Sequence, residues 1–185
     1  MSKKRVLIVV DYQKDFVDGA LGFESAKSLD KGIAYLMEEY AKDENGVILC
    51  TFDTHYEDYL DTQEGKKLPV EHCIKDTQGW ELYGETEKAE TMYSTKCIRV
   101  EKPTFGSDEL LKRLQTINKN CNYNIENITL VGVVTNMCVI SNAVIAKAAC
   151  PEAEIIIKKD LVDSFDKELH QKALDVMASM QMTVE

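Results

Sequence analysis

A cysteine stands where a buried strand gives way to a helix. Residues 132–139 read GVVTNMCV, a β-branched run and a short turn, and an alanine-rich amphipathic stretch follows. Cys138 therefore falls near a helix N-terminus, where free N–H groups and the positive end of the helix dipole favour a thiolate. This position makes Cys138 a candidate nucleophile, although a buried cysteine taken alone is more often an inert core residue.

Two further reactive side chains follow predicted strands. Asp11 ends the first strand, and Lys102 lies just beyond the third. Ligands of open α/β sheets bind beyond the carboxyl ends of the strands, so we expect both groups to approach Cys138. Together they supply a thiol, a carboxylate that can take its proton and a cation that stabilises both anions. Taken singly, Asp11 is equally well explained as a turn cap and Lys102 as a solvated loop lysine.

The connection after the second strand carries a different set of side chains. Asp53 and His55 alternate along an extended segment and can point to the same side, and Glu64 and His72 follow in the same connection. Two nitrogens and two carboxylates suit a divalent transition metal, with water completing the shell. On these residues alone, a charged surface loop is the simpler interpretation.

The base for the cysteine depends on the histidines. The chain has 3 of them, and His170 falls on the last predicted helix, where we expect it to be exposed. If His55 and His72 bind a metal, neither is available to Cys138. The base is then best assigned to Asp11.

Strands and helices alternate along the chain. The predicted strands are Arg5–Val10, Gly46–Phe52, Cys97–Val100, Ile128–Thr135, Glu154–Lys158 and a short Met182–Val184. The predicted helices are Ser25–Lys42, Ser107–Asn118 (capped by Ser107), Met137–Ala149 and Lys167–Met180, with a short helix near Trp80–Tyr83. Such aliphatic strands favour an α/β fold, a three-layer α/β/α sandwich around a mostly parallel, Rossmann-like sheet of five or six strands. We expect a single domain over residues 1–185, with residues 53–96 a long connection that binds metal and substrate.

Composition excludes several classes of partner. The net charge of −10 argues against nucleic acid and anionic membranes, because phosphate binding needs a basic surface. The apolar run Val6–Val10 is too short for a signal peptide or a membrane span. The 6 cysteines form no C-x-x-C pair and indicate reduced thiols in a cytoplasmic protein. No glycine fingerprint follows the first strand, which disfavours a dinucleotide-binding module.

Several segments together resemble a known family. Residues 9–16 (VVDYQKDF), 101–103 (EKP) and 132–139 (GVVTNMCV) are similar to motifs of the isochorismatase-like cysteine hydrolases. Residues 53–55 (DTH), Glu64 and residues 69–74 (PVEHCI) resemble the metal-binding nicotinamidase branch of that family. The motifs occur in the family's order and span nearly the whole chain.

The resemblance implies roles for particular residues. It implies a catalytic triad of Asp11, Lys102 and Cys138. It also implies a non-proline cis peptide between Val133 and Val134, which turns the Val134 N–H toward the substrate. The N–H groups of Val134 and Cys138 would then form an oxyanion hole.

The resemblance also implies a metal and a ring clamp. One divalent ion, zinc before iron or manganese, would be held by Asp53, His55, Glu64 and His72. Phe16 would stack on a pyridine ring. The branch often has Trp-Pro before its second metal histidine, whereas this chain has Leu68-Pro69, and it often has Asp where Asn136 stands. The second face of the ring clamp would then be missing or come from one of four aromatic residues: Tyr12, Tyr56, Trp80 or Phe105.

The implied activity is hydrolysis of nicotinamide to nicotinate and ammonia through a thioester, as in NAD salvage. A second hypothesis is a hydrolase of the same family that acts on another small amide, a carbamoyl compound or a vinyl ether, without a functional metal site. A third, from another class, is a non-catalytic metal- or ligand-binding protein. Assembly into a homo-oligomer stays open.

Overall fold

A parallel sheet forms the centre of the molecule. The computed structural model describes residues 3–185. Its strands are Lys4–Val10 (β1), Gly46–Asp53 (β2), Cys97–Lys102 (β3), Ile125–Val133 (β4), Glu154–Asp163 (β5) and Thr183–Val184 (β6). Their order in the sheet is β3-β2-β1-β4-β5-β6, and every neighbouring pair is parallel. The predicted parallel sheet is therefore confirmed, with six strands in the described part of the chain.

Helices cover both faces of this sheet. They are Lys14–Val17 (α1), Asp30–Lys42 (α2), Gly84–Met92 (α3), Asp108–Asn120 (α4), Ile140–Ala149 (α5) and Lys167–Ser179 (α6). Short 3₁₀ turns occupy Glu24–Leu29, Tyr59–Asp61 and Gln78–Trp80. The predicted three-layer α/β/α sandwich is confirmed. No helix within residues 3–185 is long and apolar enough to cross a membrane.

The central strand explains why the layers form. Val6 and Ile8 on one face of β1 pack in a core with α4, α5 and α6, whereas Leu7 and Val9 on the other face pack with α2. All four side chains are fully buried. A strand that is apolar on both faces needs a covering layer on each side, which the crossover helices supply.

The sequence pattern missed two helices, α1 and α3, and misjudged the start of another. The predicted helix Ser25–Lys42 begins as the 3₁₀ turn, and α2 starts only at Asp30. The missed helix α3 has a weak apolar stripe and buries polar side chains such as Thr86. Its first turn is capped by a distant residue, because Asp30 accepts hydrogen bonds from the N–H groups of Glu85 and Thr86 at 2.8 and 2.9 Å. Such a cap cannot be read from local sequence.

The short helix predicted near Trp80–Tyr83 is instead the 3₁₀ turn Gln78–Trp80, and the remaining predicted elements differ mainly at their ends. Ser107 caps α4 as predicted, since its hydroxyl accepts from the N–H of Leu110 at 3.0 Å. Strand β5 continues well beyond the predicted Lys158, to Asp163. The helix predicted at Met137–Ala149 begins as a π turn over Thr135–Val139, and regular α-helix starts at Ile140.

Candidate active site

Asp11 stands at the carboxyl end of β1 in a fully buried position. Its backbone adopts a φ of 45°, which turns the chain out of the strand. The Thr51 hydroxyl on β2 donates to Asp11 Oδ1 at 2.6 Å. Sequence analysis did not single out Thr51, because a threonine in a strand carries no local signal of function.

Lys102 reaches the same point from the edge of the sheet. It ends β3 in register with Asp53 on β2, and β2 lies between β3 and β1. Its side chain is buried, and its Nζ lies 2.6 Å from Asp11 Oδ2 and 3.3 Å from Asp53 Oδ1. The same nitrogen lies 3.6 Å from Cys138 Sγ and donates to the Thr104 carbonyl at 2.9 Å. The ammonium therefore contacts every other charged or nucleophilic group in this part of the site.

The backbone before Cys138 is placed by a close approach of two strands. Gly132 has a φ of 111°, and a Cβ there would lie 2.1 Å from the Val10 carbonyl oxygen. The Val133–Val134 peptide is cis, as the resemblance implied. The carbonyl of Val134 accepts from the N–H groups of Met137 and Val139, which sets the π turn that carries Cys138.

Burial controls the proton affinities of the three groups. Burial raises the pKa of Asp11 above its ordinary value, and the Lys102 ammonium offsets this only in part. Burial lowers the pKa of Lys102, but Asp11, Cys138 and Asp53 together raise it well above the ordinary value. A protonated lysine beside a carboxylate of raised pKa can keep its charge while that carboxylate takes up and returns a proton.

The expectation that the helix end favours a thiolate is wrong for the free protein. Burial raises the pKa of Cys138 well above its ordinary value, and Asp11 and Asp53 raise it further, while Lys102 lowers it. A side chain that is 6% exposed has lost most of the solvation that a thiolate needs. The resting state is therefore a thiol that needs a base.

Four potential metal ligands converge beside the triad. One ligand atom from each of Asp53, His55, Glu64 and His72 lies within 4.8 Å of the others. Asp53 Oδ2 lies 3.1 Å from His55 Nε2 and 3.4 Å from His72 Nε2. Glu64 Oε1 lies 3.8 and 3.9 Å from the same two nitrogens. Ligands about 2.0–2.2 Å from one ion are separated by distances close to these, so the donor set fits a divalent transition metal.

The environment of these donors also suits a cation. The Nδ1 of His72 lies 2.8 Å from the Val70 carbonyl, which assigns its proton to Nδ1 and leaves Nε2 free to bind a metal. Burial alone would raise the pKa of Asp53. Lys102, His55 and His72 lower that pKa by more than burial raises it, so the net shift is strongly downward. Asp53 is thus a permanent anion shared between the ammonium on Oδ1 and the histidines on Oδ2.

Two polar residues that sequence analysis did not single out hold this cluster. The Gln13 amide accepts from the Asp53 N–H at 2.8 Å and donates to the Asp53 carbonyl at 2.9 Å. Asp15 Oδ2 accepts from the N–H of Cys73 at 2.8 Å, next to His72. Both lie in the VVDYQKDF segment, where the pattern of strand and turn gives no reason to single them out.

A cavity of about 330 Å³ opens over both groups of residues. This volume lies near the lower end of the range for small-molecule sites. Its lining comprises Phe16, Leu21, Gly22, Asp53, Glu64, Leu68, His72, Phe105, Val134, Met137, Cys138 and Phe165. Phe16 also packs against His72, with ring centroids 5.5 Å apart.

Only one of the four candidates for the second ring face lines this cavity in the described chain, and it is Phe105. Tyr12 lies in the core, where its hydroxyl donates to the Ala26 carbonyl at 2.7 Å. The Trp80 indole N–H donates to the Thr54 hydroxyl at 2.9 Å. Tyr56 is exposed and lines separate surface grooves.

Two further residues differ from or refine the expectations. His170 is not exposed as predicted: its side chain is 17% accessible, and its Nδ1 lies 2.9 Å from the Thr135 hydroxyl. The Asn136 side chain accepts from the Ser164 hydroxyl at 2.7 Å. Both contacts join the turn before Cys138 to the region around α6.

Comparison with known proteins gives an independent line of evidence. The family model described as "Isochorismatase domain" matches residues 5–185. A nicotinamidase/pyrazinamidase of Bacillus subtilis has a TM-score of 0.84 at 27% identity, over 98% of each chain. A pyrazinamidase/nicotinamidase of Streptococcus mutans has a TM-score of 0.83 at 27% identity, over 98% of this chain and 100% of that one.

A more distant structure shares the fold. The pyrazinamidase of Pyrococcus horikoshii in complex with zinc has a TM-score of 0.78 at 23% identity, over 98% of each chain. A search of curated protein sequences finds no match to this chain.

Proposed function

Because the chain belongs to the isochorismatase family, we propose that it is a metal-assisted cysteine amidohydrolase that converts nicotinamide to nicotinate and ammonia. The observation that carries the proposal is the sharing of Asp53. Its two oxygens join the Asp11–Lys102–Cys138 cluster to the four-residue donor set beneath one cavity. A nucleophile and a site for a ring-anchoring cation are thereby held at a fixed separation.

In the proposed reaction Asp11 first takes the proton of the Cys138 thiol. The thiolate attacks the carboxamide carbon, and the carbon–nitrogen bond breaks as Asp11 returns the proton to the departing ammonia. A thioester remains on Cys138. Asp11 then takes a proton from water, whose oxygen attacks the thioester, and the thiol is restored as nicotinate leaves. The Lys102 ammonium, 2.6 Å from Asp11, stabilises each anionic state.

We assign the oxyanion hole to the N–H groups of Val134 and Cys138. Both residues line the cavity, and the π turn Thr135–Val139 joins them. Each hydrogen-bond donor in such a hole typically contributes about 3–4 kcal/mol to stabilisation of the transition state.

We propose that Asp53, His55, Glu64 and His72 hold one divalent ion, with zinc favoured over iron or manganese. Two imidazoles and two carboxylates at these separations match its preferred donors. The ion would supply a Lewis acid for the ring nitrogen of the substrate. Phe16 would pack on the ring beside His72.

The lining of the cavity favours a neutral substrate. Within the described chain it includes no lysine or arginine, and its carboxylates belong to the donor set. A dianionic vinyl ether would meet no compensating cation there, whereas an uncharged aromatic amide would meet Phe16, Phe105 and Met137. The alternative that survives best is therefore another small uncharged amide or carbamoyl compound.

The cellular setting follows from the same proposal. The 6 cysteines, all within the described residues, form no disulfide. Free thiols and a pyridine amide substrate suit a cytoplasmic enzyme of NAD salvage.

The test is ammonia release from nicotinamide by the purified protein, before and after a strong chelator. We expect release that the chelator abolishes and added zinc restores. Release that is unaffected by complete removal of metal would contradict the assigned role of the donor set. No release from the metal-loaded protein would contradict nicotinamide as substrate and direct the search to other small amides.

A further inference from the structure

The segment between β3 and α4 forms one wall of the cavity without being held by burial. Phe105 lines the cavity, yet 45% of its surface is exposed. Hydrophobic burial therefore constrains this ring weakly, and its position depends on the backbone that carries it.

That backbone is fastened at two successive carbonyls. The Thr104 carbonyl accepts from Lys102 Nζ at 2.9 Å, and the Phe105 carbonyl accepts from Asn142 Nδ2 at 3.0 Å. The next residue, Gly106, lies so close to α5 that a Cβ there would be 2.9 Å from Ile145 Cδ1. The segment is thus held against the helix that follows the nucleophile.

Asn142 makes a second hydrogen bond, which connects the Phe105 segment to the proposed nucleophile. Its Nδ2 also donates to the Cys138 carbonyl at 2.8 Å, one helical turn earlier. A single amide group therefore joins the residue that carries the nucleophile to the residue that forms the wall. The orientation of the amide is fixed, because only its NH₂ end can serve two carbonyl oxygens.

The Asn142 amide is buried, and its hydrogen bonds to residues 3–185 come from its Nδ2 end. Asn142 is 0% exposed, and its Oδ1 finds no hydrogen-bond donor among residues 3–185. An apolar side chain of similar shape would avoid leaving a buried oxygen unsatisfied. Core packing alone therefore does not account for an asparagine here.

We propose that Asn142 is a positioning residue that holds Phe105 in the cavity wall at a fixed distance from Cys138, and that Phe105 thereby determines affinity for the ring of the substrate. The proposal rests on the proposed amidase function for its substrate. The fastening itself does not depend on that function.

The decisive variant is Asn142→Thr. A helical threonine can donate to the carbonyl four residues earlier, so the Cys138 bond is kept, but its single proton cannot also serve Phe105. We expect KM for nicotinamide to rise about threefold to tenfold while kcat stays within about twofold. Val144→Ala, an exposed site on the same helix, is the matched control and should change neither constant.

A double-mutant cycle separates positioning from general damage. Phe105→Ala should raise KM at least as much as Asn142→Thr, and adding Asn142→Thr to it should raise KM no further. Effects that multiply, or an unchanged KM in Asn142→Thr, would overturn the proposal.

Hydrogen exchange tests the fastening without any substrate. In Asn142→Thr we expect the amides of residues 104–107 to exchange faster, with those of β1 and β4 unchanged. Unchanged exchange in residues 104–107 would overturn the proposal even if the wild-type protein releases no ammonia from nicotinamide. In that event the proposed substrate would fail separately, and the exchange result would still decide whether Asn142 holds the wall.

Discussion

The proposed catalytic triad (Asp11, Lys102 and Cys138) and the proposed metal-binding set (Asp53, His55, Glu64 and His72) meet at Asp53 but are held in place differently. Asp11 and Lys102 stand at the ends of strands, and Cys138 lies on the turn directly after one. Parallel ladders between β1, β2, β3 and β4 therefore set the spacing of the triad. Of the four metal-binding residues, only Asp53 ends a strand.

The rest of the metal-binding set comes from a connection with little regular structure. Between β2 and residue 74 the described helical structure is the 3₁₀ turn Tyr59–Asp61. Individual hydrogen bonds hold the connection, including His55 N–H to the Cys73 carbonyl at 3.0 Å and the Tyr59 hydroxyl to the Leu68 carbonyl at 2.9 Å. We infer that the sheet forms the triad without help, whereas a bound ion contributes to ordering the metal-binding set.

The variant with the largest expected effect distinguishes loss of the catalytic reaction from loss of the bound metal. Cys138→Ala should lower turnover on the order of 10⁴-fold or more, because no other group can form the thioester. Its metal content should equal that of the wild type, since Cys138 is not a ligand. Turnover and metal content measured on one preparation check both points.

The control for this variant is Cys150→Ala, which removes a buried cysteine at the end of α5. It should keep most of the activity. Retained turnover in Cys138→Ala would remove the nucleophile from the scheme.

The second prediction concerns stability. Lys102→Met should lower the free energy of unfolding by about 3–5 kcal/mol, because it leaves the buried Asp11 carboxylate without its partner. Lys112→Met breaks an exposed pair with Asp108 and should leave the free energy of unfolding nearly unchanged. Denaturant unfolding of both variants checks the difference. Equal losses would show that the buried pair contributes no more than a surface pair.

Metal removal should have a smaller effect on stability than the loss of Lys102. At a metal concentration of a hundred times Kd, the bound ion adds about 2.7 kcal/mol to the free energy of unfolding. Chelation should therefore lower Tm, and zinc should restore it. His55→Ala should abolish the response, while Cys138→Ala should keep it. Loss of folded secondary structure on chelation below Tm, measured by circular dichroism, would contradict a triad that forms without metal.

The smallest effect concerns the support of the metal-binding set. Asp15→Asn weakens the carboxylate that accepts from Cys73 N–H beside His72, so metal affinity should fall about tenfold. Asp18→Asn changes a nearby exposed carboxylate and should leave affinity unchanged. Competition with a metal-binding dye measures both. An unchanged affinity in Asp15→Asn would show that the connection is held mainly by other contacts.

Prediction from sequence succeeded where the signal lies within one short stretch of the chain. The aliphatic run of β1 and the serine cap of α4 are local signals, and both appear in the structure. Prediction failed at α3, whose first turn is capped by Asp30 from more than fifty positions earlier in the chain. It also missed Gln13. The side-chain amide of Gln13 bonds the N–H and the carbonyl of Asp53, in place of the backbone of a neighbouring strand.

The sequence by itself determined the alternation of strands and helices, the presence of Asp11, Lys102 and Cys138 near the carboxyl ends of strands, and the similarity to one family. These features are local or ordered along the chain, and the family model over residues 5–185 agrees with them. Only the tertiary structure decided that Asn142 joins Phe105 to Cys138, that His170 is partly buried and that burial keeps Cys138 a thiol. These properties depend on distances between segments far apart in sequence and on the exclusion of water, which no local pattern encodes.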